Sequence, residues 1–275
     1  MQLIWVSDIH LNFLSESDRQ EFYKKIVRAS TNEVCAVIIS GDIAESHNVV
    51  SLLKEMCDVT RLPVFFVLGN HDFYGSSVTQ VKRSVRAFSY IGNKTFVPLT
   101  NTAALVGVDG WGDCRYGDFE NSSLTMSDWI YIDDLRGPYG LRCYVEHDPL
   151  KDKLQELADK DAKALARKTK AAIKAGYTKI ILVTHVPPFE EVCLNAGRKS
   201  TPSGLPFFAS KVLGEKILPI ARKNPNIDFL WLCGHTHSRA KYKPCDNMTV
   251  RVAKSEYYFP QVESIDCLHM MISGL

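Results

Sequence analysis

A chain of 275 residues that is 45% hydrophobic and 23% charged can bury a sizeable core, and these fractions are ordinary for a soluble globular protein. A net charge of +2 is too mild to declare a nucleic-acid or membrane surface, so any charge preference must be local. The eight cysteines form no C-x-x-C pair, and Cys35 and Cys233 lie inside apolar runs, which argues against a zinc knuckle or disulfide framework and for reduced thiols in a cytoplasmic protein.

The first predicted strand, Leu3–Ser7, starts too early to leave room for a leader and delivers Asp8 and His10. A helix follows over 18–29, with Asp18 as N-cap and Phe22, Ile26 and Ala29 on one face. Strand Val34–Ser40 ends in Gly41-Asp42 and precedes a helix over 49–59. Strand Val64–Leu68 ends in Gly69-Asn70-His71-Asp72 and precedes a helix over 78–90. This alternation predicts parallel strands joined by right-handed crossovers.

After Gly92 the pattern changes. Phe96–Leu99 and Ala103–Val108 read as short strands, and residues 110–148 form an insert rich in Gly, Asp, aromatics and Arg, expected to be a lid or specificity region. A helix over 148–175, closed by Gly176, carries alternating charges that read as a solvated face. Strand Lys179–Thr184 ends in His185. A long loop over 189–206 and a helix over 208–223 lead to strand Asp228–Cys233 and Gly234-His235-Thr236-His237. Residues 239–242, 248–253 and 257–262 read as short antiparallel strands. No repeat, linker or bilayer-length apolar run interrupts the chain, so a single domain over 1–275 with no membrane span is expected; the sequons at Asn93, Asn121 and Asn247 read as chance matches.

Five apolar strands thus end in Asp, Asn or His, and ligands of open α/β sheets sit beyond the carboxyl ends of the strands. Asp8, His10, Asp42, Asn70, His185, His235 and His237 offer carboxylate, amide and imidazole donors, a mixture suited to Mn, Fe, Zn, Co or Ni rather than Ca²⁺. Seven donors are too many for one site that must also hold substrate. They suit two sites sharing a carboxylate. His47, His147 and His269 carry no such context and read as surface histidines.

In order and context, Asp8-x-His10, Gly41-Asp42, Gly69-Asn70-His71-Asp72, His185 after its strand, and Gly234-His235-x-His237 resemble the calcineurin-like metallophosphoesterases. The resemblance implies an α/β four-layer sandwich of two mixed β-sheets flanked by helices. It assigns one metal to Asp8, His10, Asp42 and His237 and the other to Asp42, Asn70, His185 and His235, with Mn²⁺ the first choice and Fe, Zn, Ni or Co alternatives. It further implies hydrolysis of a phosphomonoester or diester by a hydroxide bridging the metals, with His71 facing the leaving oxygen. Glu45 stands where protein-phosphatase relatives carry an Asp, and Glu45 or Asp72 is the expected acidic partner of His71. That departure disfavours a phosphoprotein substrate.

A non-catalytic scaffold of the same fold, as in the family's retromer subunit, is the competing reading, but every motif ligand and His71 is present. A nuclease would be expected to show a basic groove or an appended module, and neither is evident. The expected substrate is a small soluble phosphoester or nucleotide. Arg115 and Arg198 are candidates to grip its phosphate, with pairing of Arg115 to Asp113 or Asp118 an equal reading; Tyr116, Phe119, Trp129 and Tyr131 are read either as stacking on a base or as packing.

Overall fold

The computed structural model describes residues 2–30, 34–137, 147–266 and 270–274. Residues 138–146 of the predicted insert, His269 and the side chains of Cys35 and His147 lie outside them.

In chain order the strands are β1 Gln2–Val6, β2 Val34–Ser40, β3 Val64–Val67, β4 Ser89–Tyr90, β5 Val97–Pro98, β6 Ala103–Gly107, β7 Lys179–Val183, β8 Leu194–Asn195, β9 Arg198–Lys199, β10 Asp228–Cys233, β11 Ala240–Cys245, β12 Met248–Val252, β13 Glu263–Asp266 and β14 Met271–Gly274. The helices are α1 Glu16–Ala29, α2 Val49–Thr60, α3 Val78–Ser84, α4 Asp128–Tyr131, α5 His147–Lys174, α6 Leu205–Phe208 and α7 Lys211–Lys223. One six-stranded sheet has the order β14-β13-β1-β2-β3-β4 and a second the order β11-β12-β10-β7-β6-β5. Both are mixed, with the parallel strands β1, β2, β3 and β6, β7, β10 central.

These central strands are largely apolar because both of their faces are covered. Leu3, Trp5, Ile38, Ile181, Leu230 and Leu232 pack in the layer between the sheets. Their sequence neighbours Ile4, Val37, Ile180, Phe229 and Trp231 belong to the cluster shared with the helices. This is the two-sheet, helix-flanked architecture that the motifs imply. No helix of the described residues is long and apolar enough to cross a membrane.

Several predicted elements shift. Ser15, not Asp18, caps α1: its hydroxyl accepts the Asp18 N–H at 3.2 Å and donates to the Asp18 carboxylate at 2.6 Å, so the two close the first turn reciprocally. The helix predicted over 78–90 stops as an α-helix at Ser84, because Tyr90 is taken into the sheet beside Phe66, with its hydroxyl on Asp109 at 2.6 Å. The helix predicted over 208–223 is broken where the Ser210 N–H turns to Pro187 O at 2.8 Å. Residues 257–262 are not a strand. Pro260 removes a donor, Tyr257, Tyr258 and Phe259 are 43%, 60% and 67% exposed, and pairing with β1 begins only at Glu263. On α5 two charges are not solvated: Lys168 donates to the carbonyls of Ile91, Gly92 and Gly107, and Asp161 accepts the Gly110 N–H at 2.9 Å.

Candidate metal centre

The carboxyl ends of β1, β2, β3, β7 and β10 bring all seven motif residues to one rim. Five of the seven stand in left-handed backbone: Asp8 at φ 50°, His10 at 40°, Asp42 at 52°, His235 at 71° and His237 at 54°. That conformation costs an L-residue about 1–2 kcal/mol, and it persists only where neighbours over-determine it. Here Asp8 N–H is tied to Gly41 O at 3.0 Å, His10 N–H to Asp42 O at 3.1 Å, and Gly234 N–H to His185 O at 2.9 Å. Gly41 itself has φ 95°, and a Cβ there would lie 2.5 Å from His185 Nδ1. The glycine lets the turn and the imidazole share space.

The donors converge in two groups. Asp8, His10, Asp42 and His237 each offer one atom, all within 4.8 Å of one another. Within this group His237 Nε2 is 3.3 Å from Asp8 Oδ1 and 3.5 Å from His10 Nε2. In the second group Asn70 Oδ1 lies 3.0 Å from His185 Nε2 and 3.1 Å from His235 Nδ1, which are 3.2 Å apart. Asp42 Oδ2 belongs to both, at 3.8 Å from His10 Nε2 and 3.3 Å from His185 Nε2.

The second group tests whether a cation fits. His185 Nδ1 faces Ser40 O at 2.9 Å and His235 Nε2 faces Phe207 O at 3.3 Å. A carbonyl only accepts, so each of these nitrogens carries its proton, and the neutral rings aim lone pairs from His185 Nε2 and His235 Nδ1 at the same point. Asn70 Oδ1 and Asp42 Oδ2 add two more acceptors. Four lone pairs meeting without a donor are what a divalent cation requires.

Without a cation a proton takes its place. Burial alone would lower His185, but Asp42 and then Asp8 carry it up to about 10. Burial and the adjacent His185 push His235 down to about 3. Burial lowers His10 to about 4, while Asp42 opposes the shift. Burial works against ionising Asp8 and Asp42, yet both carboxyls are held below their ordinary range, Asp8 chiefly by His237 and Asp42 chiefly by His185.

His71 lies beside this centre, its ring 4.7 Å from that of His10 and stacked on Tyr74 at 4.4 Å, with a buried Nδ1 that has no hydrogen-bond partner among the described residues. Both acids expected as its partner are engaged elsewhere. Asp72 is turned inward, accepting the N–H groups of Ile43, Ala44 and Gly69 at 2.8–3.0 Å. Glu45 faces Asn12 at 3.4 Å and His47 at 3.7 Å. Arg115 is spent on Asp113 and Asp159, at 3.1 and 2.9 Å. Arg198 lies on the exposed β8–β9 hairpin. Of the aromatics offered for stacking, Phe119 and Trp129 pack on Phe207, Tyr116 lies under Lys211, and Tyr131 lies against Tyr74.

A cleft of about 250 Å³ opens beside His235 and His237, lined also by Asn195, Ser200, Phe208, Thr236 and Tyr257. Sequence reasoning missed these residues, and with them Tyr74 and Asp128, which stand directly behind Asn70. Asp128 Oδ1 accepts from Asn70 Nδ2 at 2.8 Å and from the Tyr74 hydroxyl at 2.6 Å. Tyr74 follows Asn70 by one helical turn, a faint signal; Asp128 gives none, being 58 residues away.

Among solved structures the fold is similar to a dimetal phosphatase from Danio rerio, at 13% identity and TM-score 0.60 over 96% of this chain and 91% of that one. It is also similar to the phosphopantetheinyl hydrolase of Mycobacterium tuberculosis, at 14% identity and TM-score 0.61 over 94% and 90%. No curated protein sequence matches the chain. The profile of the calcineurin-like phosphoesterases matches residues 1–239. With that match spanning all five motif loops, the chain belongs to the calcineurin-like phosphoesterase family and is a metal-dependent phosphoesterase.

Proposed function

We propose that the chain hydrolyses a small phosphoester at a dinuclear centre in which Asp8, His10, Asp42 and His237 hold one cation and Asp42, Asn70, His185 and His235 the other. The observation that carries this reading is the position of Asp42 Oδ2, shared between the two donor groups. The fold shared with a dimetal phosphatase agrees with it. Two divalent cations, when bound, polarise the phosphoryl oxygens and make water a nucleophile at neutral pH. The mixed oxygen and imidazole donors favour Mn²⁺, with Fe, Zn, Ni and Co as alternatives.

The chain's own groups do the rest. Ser7 Oγ and the His235 N–H fix the two oxygens of Asp8, at 2.6 and 2.9 Å, so that its carboxylate stays in register with His237. The His71 N–H does the same for Asp42 Oδ1 at 2.9 Å, leaving Oδ2 for the centre. The role we assign to the His71 imidazole, whose ring lies 4.7 Å from that of His10, is to protonate the leaving oxygen, an effect on the order of 10²–10⁴-fold. Phe208 and Tyr257 border the cleft next to His235 and His237, and Asn195, Ser200 and Thr236 give it polar contacts. A cleft of this size suits a small ester or a nucleotide better than a folded protein. The free thiols of Cys57, Cys114, Cys193, Cys233 and Cys245 agree with a reducing, cytoplasmic setting.

The decisive experiment is a panel of phosphomonoesters, phosphodiesters and nucleotides, each tried with Mn²⁺, Ni²⁺, Co²⁺, Zn²⁺, Fe²⁺ and Mg²⁺. Turnover that needs one of the softer cations supports the assignment. A chain that binds two cations and hydrolyses none of the esters refutes the catalytic reading.

A further inference from the structure

The described part of the insert after β6, read from the sequence as a lid or specificity region, is stitched to the loop that carries Asn70 and His71. Gly75 N–H reaches Tyr131 O at 2.8 Å, Asp133 N–H reaches Ser76 O at 3.1 Å, and Val78 N–H reaches the Asp134 carboxylate at 2.7 Å. Ser76 and Ile132 form a parallel bridge. From this seam α4 sends Asp128 into the protein, where only 9% of it remains exposed.

A buried carboxylate is costly unless its surroundings use it. Asn70 explains the use. The oxygen and nitrogen of a side-chain amide are nearly isosteric, and either can face the centre. Turned the wrong way, Asn70 would aim N–H groups at His185 Nε2 and His235 Nδ1 and at any cation between them. A partner that accepts on the far side forbids that orientation, and Asp128 Oδ1, which accepts from Asn70 Nδ2 at 2.8 Å, is such a partner. The Tyr74 hydroxyl, donating to the same oxygen at 2.6 Å, fixes Asp128 in turn. Because the Tyr74 ring also carries His71, one brace spans both residues of the loop.

We propose that Asp128 is a positioning residue for the metal centre, holding the Asn70 amide so that Oδ1 rather than Nδ2 faces the cation shared with His185 and His235. The inference rests on the ligand assignment above, and it gives the insert a part as a buttress of the ligand loop. Partners behind metal ligands are typically worth about 10–100-fold in affinity.

The test measures Mn²⁺ binding to the full chain by equilibrium dialysis and calorimetry, without substrate. Asp128→Asn is expected to weaken one of two Mn²⁺ sites by about 10–100-fold and leave the other little changed. Tyr74→Phe should weaken the same site by less. Asn70→Asp with Asp128→Asn reverses donor and acceptor across the pair and should recover binding relative to Asp128→Asn alone. A purely architectural Asp128 would not be rescued by that exchange.

Melting curves show whether each variant is folded; should Asp128→Asn fail to fold, Tyr74→Phe decides. Unchanged affinity at both sites in the deciding variant, or a folded exchange variant with no recovery, overturns the proposal. Wild-type chain that binds two Mn²⁺ ions but hydrolyses nothing would refute the catalytic reading and leave this one standing. Wild-type chain that binds fewer than two would remove the ground for both.

Discussion

Replacing Gly41 with alanine isolates how closely the β2 turn and His185 share their space. Two costs are separable. The first is backbone: φ 95° burdens any L-residue by roughly 1–3 kcal/mol. The second is overlap, since the new Cβ would lie 2.5 Å from His185 Nδ1, 2.7 Å from Cγ and 2.8 Å from Cβ, where ordinary contact begins at 3.4 Å. The ring must therefore retreat by about 0.9 Å (3.4 − 2.5). His185 is completely buried and has nowhere to go without stretching its 2.9 Å contact to Ser40 O, worth roughly another 1 kcal/mol.

Nε2 would leave the point it shares with Asn70 Oδ1 and Asp42 Oδ2, and a misplacement near 1 Å can cost about 10²-fold in rate. Gly176→Ala is the control: φ is 93° and nothing lies within 4 Å of its new Cβ, so it bears only the backbone cost. Urea unfolding of the metal-free chains should place Gly41→Ala about 1–2 kcal/mol below Gly176→Ala. Its kcat/KM on p-nitrophenyl phosphate at saturating Mn²⁺ should fall about 100-fold while the control's does not. Equal stability losses in the two variants, with Gly41→Ala turning over as fast as wild type, would refute the steric argument.

His235→Ala should abolish turnover and leave one of two Mn²⁺ ions bound, as counted by metal analysis after dialysis; full activity would contradict the ligand assignment. His71→Ala should retain both ions and slow esters with poor leaving groups most, and an equal loss across leaving groups would argue against its proton role. In the metal-free chain His185 stays protonated up to about 10 instead of 6.5, because Asp42 and Asp8 outweigh burial. A raised folded-state pKa stabilises fully below 6.5 and loses that contribution as pH climbs through about 10, so metal-free melting temperatures should fall over this window. Mn²⁺ competes with the same proton, so its affinity should rise with pH and its binding enthalpy should depend on the buffer; pH-independent affinity between pH 6.5 and 9 would contradict this reading.

What the sequence makes legible follows from how many faces of a residue are constrained. The central strands are buried on both sides, so Ile4–Val6, Val37–Ile39 and Phe229–Cys233 read as unbroken apolar runs, and the glycine or polar residue ending each run marks the rim. Residues 257–262 carry the same aromatic signal without that constraint. Their rings border the candidate site and solvent instead of pairing in a sheet, and no local pattern separates the two cases. Adjacency misled at Asp72, because His71–Phe73 form a 3-10 turn in which successive side chains diverge by about 120°. His71 faces the centre, while its neighbour closes the loop from inside.

Asp128 is the opposite case, a residue whose meaning lies wholly in a partner 58 positions earlier. Nothing in Ser127-Asp128-Trp129 distinguishes it from a surface acid. The donors of a metal centre are readable because several chain segments must each supply one at a strand end. The groups that orient those donors need only reach them from any direction, here from the insert, so their sequence signal is weak even where their contacts are as short as 2.6 Å. Mutational effects on metal affinity should therefore extend from the recognisable motifs into the insert, and among its described residues they should centre on Asp128.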